Sequence, residues 1–233
     1  MSRILKILFC VSAVFLLAIA AGMSVSAADM GYETLPLSQE DIDRIWDITA
    51  LSVEPVPSSA DDLGDSIVSF DVSESGNILL GLSGDKIVVI DANGNALHYY
   101  KFHEDGSYYV LWKEDNILLY LVRSRLIIEI SPDGNLVDMV HTDDRSSIND
   151  ELWRRIGNKN KITVGEYTYA MTNYAFGYSR LIKTDGQGNI DIIYDVVVEQ
   201  SLRVAAVTII GIFALAVSVG AIFENLKENQ KKQ

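Results

Sequence analysis

Two short stretches set imidazole beside carboxylate: His103-Glu104-Asp105, and His141 followed by Asp143 and Asp144. Imidazole nitrogen and carboxylate oxygen are ligands for zinc and related ions, so His103, Glu104, His141 and Asp143 are the candidate metal ligands. The chemistry they imply is that of an envelope hydrolase or metal-dependent enzyme. The two stretches stand at equivalent ends of successive repeats described below, which predicts that they face each other across a shared rim. The spacing is neither H-E-x-x-H nor C-x-x-C, and His98 is the one other histidine. Solvated acidic turns are the plainer reading. The chain has no G-x-S-x-G, no phosphate-cradling glycine loop and no cysteine nucleophile, since Cys10 lies in an apolar N-terminal run. No catalytic residue and no cofactor is assigned, and a non-catalytic role is expected.

Aromatic residues form a second kind of candidate site. Tyr167, Tyr169, Tyr174, Phe176 and Tyr178 crowd twelve residues. Tyrosine joins a large apolar body to a polar tip, which suits a protein contact or a cell-wall glycan. Tyr167 and Tyr169, two apart on a strand, share one face, and core packing competes with binding as their explanation. A second group, Tyr99, Tyr100, Phe102, Tyr108, Tyr109 and Trp112, reads as filling between sheets. Trp46 belongs to the apolar stripe of an amphipathic helix. Ser38 and Asp41 have capping-box spacing, and Ile42, Ile45, Trp46 and Ile48 then give one apolar face over Gln39 to about Ala50. That stripe needs a partner.

The elements that position these residues are strands. Apolar residues recur with strand spacing between turn signals over 66–72, 77–82, 86–91 and 96–102, then again over 107–112, 116–122, 125–130 and 136–141. The sets align residue on residue: Asn77-Ile-Leu-Leu with Asn116-Ile-Leu-Leu, and Asn93-Gly94-Asn95 with Asp133-Gly134-Asn135. A third, degenerate unit carries Asp185-Gly186-Gln187-Gly188-Asn189, matching Asp91-Ala92-Asn93-Gly94-Asn95, with strands over 180–184 and 190–197. These Asp-x-Asn-Gly-Asn turns crowd oxygens as calcium loops do. They lack acidic ligands at alternate positions, and Asn-Gly supplies the positive φ of a hairpin. A second helix is expected over 147–156, closed by Gly157, and 54–65 reads as a linker.

Strand, D-x-N-G-N or S-P-D-G-N turn, strand resembles the blades of bacterial β-propellers of the NHL and quinoprotein-repeat kind, over 66–142 closely and 161–197 loosely. The resemblance implies a fold and no activity: mainly β, with propeller-like four-stranded antiparallel blades. Residues 29–200 at about 40 per unit hold four blades at most and three are defensible, so an open array, or a ring closed through another chain, is expected.

The two ends place the protein. Arg3 and Lys6, an apolar run over 7–21 and small residues to Ala28 have the layout of a secretory signal over 1–28. Val204 to Phe223 is uncharged, about 30 Å as a helix, and Lys227, Lys231 and Lys232 follow it. The positive-inside rule then predicts a single-pass type I protein of the cell membrane: helix and linker over 29–65, an extracytoplasmic β-domain over 66–200, a transmembrane helix over 203–223 and a cytoplasmic tail over 224–233. With no N-x-[ST] acceptor and no cysteine beyond Cys10, a bacterial source is expected. The net charge is −13, but residues 29–200 hold 30 acids against 13 bases, or −17. Such a surface repels phosphate backbones and excludes nucleic acid as a partner. The expected partners are the membrane, and a protein or a second copy of the chain, with the β-domain acting as a protein-interaction or scaffold module of the cell envelope.

Overall fold

A computed structural model describes residues 31–143, 145–174 and 177–231. The signal segment, Cys10 and Phe176 lie outside them. The chain divides into two compact units, one made of residues up to Glu54 with Tyr100–Lys159, the other of Pro55–Tyr99 with residues from Asn160 onward.

Strands β3 (Ile67–Val72), β4 (Ile78–Leu82), β5 (Lys86–Ile90) and β6 (Ala96–Lys101) make the first meander. The second is β7 (Tyr108–Lys113), β8 (Asn116–Leu121), β9 (Leu126–Ile130) and β10 (Leu136–Thr142), antiparallel throughout. A third consists of β11 (Lys161–Val164), β12 (Tyr167–Tyr174), β13 (Gly177–Thr184) and β14 (Ile190–Asp195). These are the expected four-stranded blades, and the strand paths end in edges without closing a barrel.

The hairpins follow from turn chemistry. Four five-residue motifs beginning at Ser73, Asp91, Ser131 and Asp185 share one bonding pattern. The glycine N–H donates to the first residue's carbonyl at 2.9–3.1 Å, and the first residue's N–H donates to the carbonyl of the closing asparagine at 2.9–3.1 Å. The glycines Gly76, Gly94, Gly134 and Gly188 all have φ between 79° and 88°, the left-handed conformation that a three-residue bulged hairpin demands.

Two short strands precede the blades: β1 (Thr34–Pro36) and β2 (Ser52–Val53), with helix α1 (Gln39–Thr49) between them. Ser38 Oγ accepts from the Asp41 N–H, while its hydroxyl donates to Asp41 Oδ2 at 2.7 Å, so the Asp41 side chain bonds the cap's side chain and not its backbone. Ile48 is exposed, because Ile42, Ile45, Trp46 and Thr49 complete the stripe and Ile48 falls outside its arc. The linker contains a 3₁₀ turn over Ala60–Leu63. Helix α2 (Ser147–Gly157) covers one face of the second blade through Leu152, Trp153 and Ile156, packed on Leu118, Tyr120 and Ile127. Gly157 is its last residue and not its cap: the cap is Asn158, and Tyr109 Oη occupies the place a Gly157 side chain would need.

Helix α3 runs unbroken over Val197–Lys231, about 50 Å. Among the described residues, Val197–Leu215 is the one helical stretch long and apolar enough to cross a membrane, and almost nothing covers it. Val207, Ile210, Phe213 and Leu215 are all exposed, and a helix apolar on every side is one that a protein core or a membrane covers.

Candidate functional site

Sequence-predicted residues separate once the strands are in place. Tyr167, Tyr169 and Met171 alternate onto the core face of β12. Tyr169 is 2% exposed and packs with Phe70, Leu181 and Tyr194, so it presents nothing to a glycan or a protein. Burial raises the pKa of its hydroxyl, with Tyr167 adding to the shift. Tyr167 and Tyr178 are partly buried against the same core, and Lys183 Nζ lies 4.2 Å above the Tyr167 ring. Tyr174 lies at the end of β12, and its backbone pairs with Gly177. Trp46 is half-buried on α1.

The metal reading loses its geometry. Among the described residues no three His, Cys, Asp or Glu side chains converge. His103 is exposed, its Nε2 3.9 Å from Asp105 Oδ1, and Glu104 follows it in the loop after β6. His141 sits within β10, its Nδ1 buried, where strand pairing with Leu35 fixes it. Asp143 is spent on the turn into α2: its Oδ1 accepts from the Arg145 N–H at 2.9 Å and its carbonyl accepts from Asn149 Nδ2 at 3.0 Å. His103, Glu104, His141 and Asp143 thus do not form a shared site.

The calcium-like turns are likewise occupied from within. Asp91 Oδ1 accepts from the N–H groups of Asn93 and Asn95, and Oδ2 accepts from Asn95 Nδ2. Asp185 repeats the arrangement with Gln187 and Asn189. The bonds from Asn95 and Asn189, foremost, hold both carboxyls below their ordinary pKa.

What the structure does gather is a set of caps on the outer strands. In the repeat alignment, His141, Lys101 and Asp195 are equivalent positions. His141 in β10 pairs with Leu35 of β1. Lys101 in β6 pairs with Ser52 of β2. The backbone N–H of Asp195 in β14 donates to Asp61 Oδ1 at 2.9 Å, a carboxylate standing where the other strands have a neighbouring backbone. Segment 34–64 therefore closes the outer strand of every blade at the same position. Buried Asn149 secures the first of these caps, receiving the Glu33 N–H at 2.9 Å and donating to the Glu33 carbonyl at 2.8 Å.

The third cap adjoins a clasp on α3. The Val196 N–H donates to the Ser179 carbonyl, Gln200 Nε2 donates to Ser66 Oγ at 3.0 Å, and Tyr194 Oη donates to the Asp65 carbonyl at 2.6 Å. The buried Asp65 carboxylate meets Lys86 Nζ at 2.5 Å and Arg203 Nη1 at 3.7 Å. Arg180 grips Asp195 through Nε and Nη2. Burial pushes the Asp195 pKa up, but Arg180 and the Val197 N–H outweigh it, and the net shift is downward. Asp61 is raised, by burial first; the Asp195 N–H opposes this, and the charges of Asp195, Glu199 and Asp62 add to it.

Beside the caps, the outer strands leave apolar side chains in solvent: Leu97 on β6 (40% exposed), Val137 on β10 (52%), and Ile190 (62%) and Ile192 (54%) on β14. Asp61, Asp65, Asn149 and Gln200 were invisible as a group in the sequence, because Asp195, Lys86, Glu33 and Ser66, which they bond, lie 21 to 134 residues away. Ser59-x-x-Asp62, a capping pattern inside the linker, was the one local sign.

Comparison with known proteins gives a fold likeness only. No protein family matches the sequence, and no curated protein does. Among solved structures, a streptogramin B lyase is 13% identical over 63% of this chain and 45% of its own, TM-score 0.29. BamB from Moraxella catarrhalis is 14% identical over 69% of this chain and 62% of its own, TM-score 0.30. The Pan2 WD40 domain of Neurospora crassa is 7% identical over 62% of this chain and 43% of its own, TM-score 0.27. The chain spans about half the length of these propeller-type proteins. At these scores its blade architecture rests on strand order, register and the repeated turn.

Proposed function

We propose that the chain is a single-pass membrane protein whose blades act as a protein-interaction or scaffold module of the cell envelope. The clasp carries this reading. Helix α3 grows straight out of β14, and Gln200, Ser66, Asp65 and Arg203 bond its first two turns into the blade. A blade fixed to its own membrane helix holds its surfaces at a set height and orientation, which is what a scaffold requires and what a tethered enzyme on a flexible linker does without. The exposed outer-strand residues, Leu97, Ile190 and Ile192 in one unit and Val137 in the other, are what each unit offers a partner, and their apolar character on so acidic a domain suits a protein contact.

Lys227, Lys231 and Lys232 beyond the apolar run support a cytoplasmic C-terminus, with the blades outside. The signal layout over 1–28 supports the same direction. Two measurements test this. Protease added to intact cells should digest the blades and spare the tail; the reverse pattern overturns the orientation. Gentle detergent extraction should bring the chain out with a partner or a second copy at fixed ratio, and recovery solely as lone monomers overturns the interaction role.

A further inference from the structure

The β12–β13 hairpin runs beside the start of α3, and its end approaches the point where the helix becomes uncharged. Just before the helix, the Val196 N–H donates to the Ser179 carbonyl of β13 at 2.9 Å. One turn further on, Gln200 Nε2 donates to Ser66 Oγ at 3.0 Å, and a side chain added at Gly177 would stand 3.1 Å from the Cβ of that same serine. While the helix advances from 196 to 200, about 6 Å, the strand steps back from 179 to 177, about 6.6 Å. The two keep pace in opposite directions. From Gln200 to Val204, where the uncharged run begins, is about 6 Å more. The headgroup layer on each side of a bilayer's hydrocarbon is roughly 5–7 Å deep. A helix that spans from Val204 therefore sets Gly177, and Tyr174 paired with it, in that layer.

The chemistry of this end matches the layer. No charged side chain occurs over 167–179, although residues 29–160 hold 25 acids against 10 bases. Residues 161–203 hold five acids and four bases, so the blade beside the helix is nearly neutral and escapes the repulsion that anionic lipid gives the rest. Tyr174 closes β12, and tyrosine is enriched at headgroup level. Arg203, the last charge before the uncharged run, is largely exposed, with its Nη1 3.7 Å from Asp65, in the position from which a long basic side chain reaches up to the interface. The opposite end of the same blade differs. The turn over 185–189 opens on Asp185, and Asp191 follows it.

We propose that the end of the β12–β13 hairpin, at Asn173, Tyr174 and Gly177, is a lipid-contact surface that lies in the headgroup layer beside α3. The proposal rests on α3 crossing the membrane. It adds a second point of contact, which fixes the tilt of the blade as a single helix does not.

Spin labels on the full chain in phosphatidylcholine vesicles test it, introduced singly through Asn173→Cys, Tyr174→Cys, Gln187→Cys and Phe213→Cys in a Cys10→Ser background. Collision with oxygen, which concentrates in lipid, and with a water-soluble nickel chelate gives the depth of each label. Phe213, exposed on α3, should read as hydrocarbon, and Gln187, in the far turn, as water. Asn173 and Tyr174 should fall between them, with a nickel collision rate several-fold below that of Gln187 and an oxygen rate above it. The Asn173 side chain is exposed, so its label should leave thermal unfolding unchanged. Nickel rates at Asn173 and Tyr174 equal to that at Gln187, with Phe213 in hydrocarbon, overturn the lipid contact and leave the membrane span standing. Phe213 in water overturns the span and the contact together. Hairpin labels shielded from both reagents mean that a protein covers this end, and overturn the lipid assignment.

Discussion

The second and third blades solve one problem with different chemistry. Each ends in an outer strand whose backbone must be satisfied at the equivalent positions His141 and Asp195. In the second blade a neighbouring strand does it: β1 pairs over three residues, Asn149 locks it, and α2 seals the face with a stack of neutral rings. In the third, a side chain does it, and that side chain is a carboxylate near three others. Backbone pairing is neutral and indifferent to pH. Asp61 instead brings a partly buried charge beside Asp195, Glu199 and Asp62, and Arg180 answers only one of them. The difference teaches that repetition fixes where a cap is needed and not what makes it. The third blade, which also carries the apolar helix α3, has a compact polar junction where the second has an extended apolar one.

That contrast can be broken at the clasp, the cap or the carboxylate. Asp65→Asn leaves Lys86 beside an uncharged partner at a mostly buried site, and should cost about 3 kcal/mol and loosen α3 from the blade. Denaturation of the full chain in detergent reads the loss, and faster hydrogen exchange of 197–203 localises it. In the second blade, Asn149→Ala strands the Glu33 N–H and takes one donor from the Glu33 and Asp143 carbonyls, which keep the N–H groups of Asp143 and Ser146. It should cost about 2 kcal/mol and raise exchange along β1 and β10 without touching β14.

Asp61→Asn should do least, with the opposite sign. Asparagine still offers Oδ1 to the Asp195 N–H but removes the charge. Because the folded pKa of Asp61 is raised, the stability it contributes is present below its unfolded value of about 3.9 and is lost as pH rises through the folded one. The variant should therefore gain up to about 1 kcal/mol over the natural chain at neutral pH, a gain that vanishes below the carboxylate range. Asp195, whose pKa is lowered, runs the other way, and its contribution is lost as pH falls through its folded value. A loss of stability for Asp61→Asn at neutral pH would mean that the third cap is an ionic bond and not a strained substitute for a strand.

The strands and hairpins were legible because their signals are local. Period-two alternation and a glycine three residues after Ser or Asp fix a hairpin without reference to the rest of the chain. Strand ends shifted by a residue at most in the first two blades, as with β7 beginning at Tyr108 and β9 at Leu126. The caps were not legible. Strands of two or three residues have no periodicity, and Leu35 finds His141 across more than a hundred residues. Tyr169 misled for a related reason: alternation puts it on the same face as Tyr167, and the sequence cannot say which face the core takes. The histidine clusters misled because equivalent positions in a repeat need not be neighbours in space.

The scaffold role itself is tested most directly by photo-crosslinking in intact membranes. A photoreactive amino acid at Ile192 should give one dominant crosslinked species of defined mass, and the same substitution at Asp91, in a turn closed upon itself, should give none. Equal crosslinking from both positions, or only uncrosslinked chain from Ile192, would contradict the account.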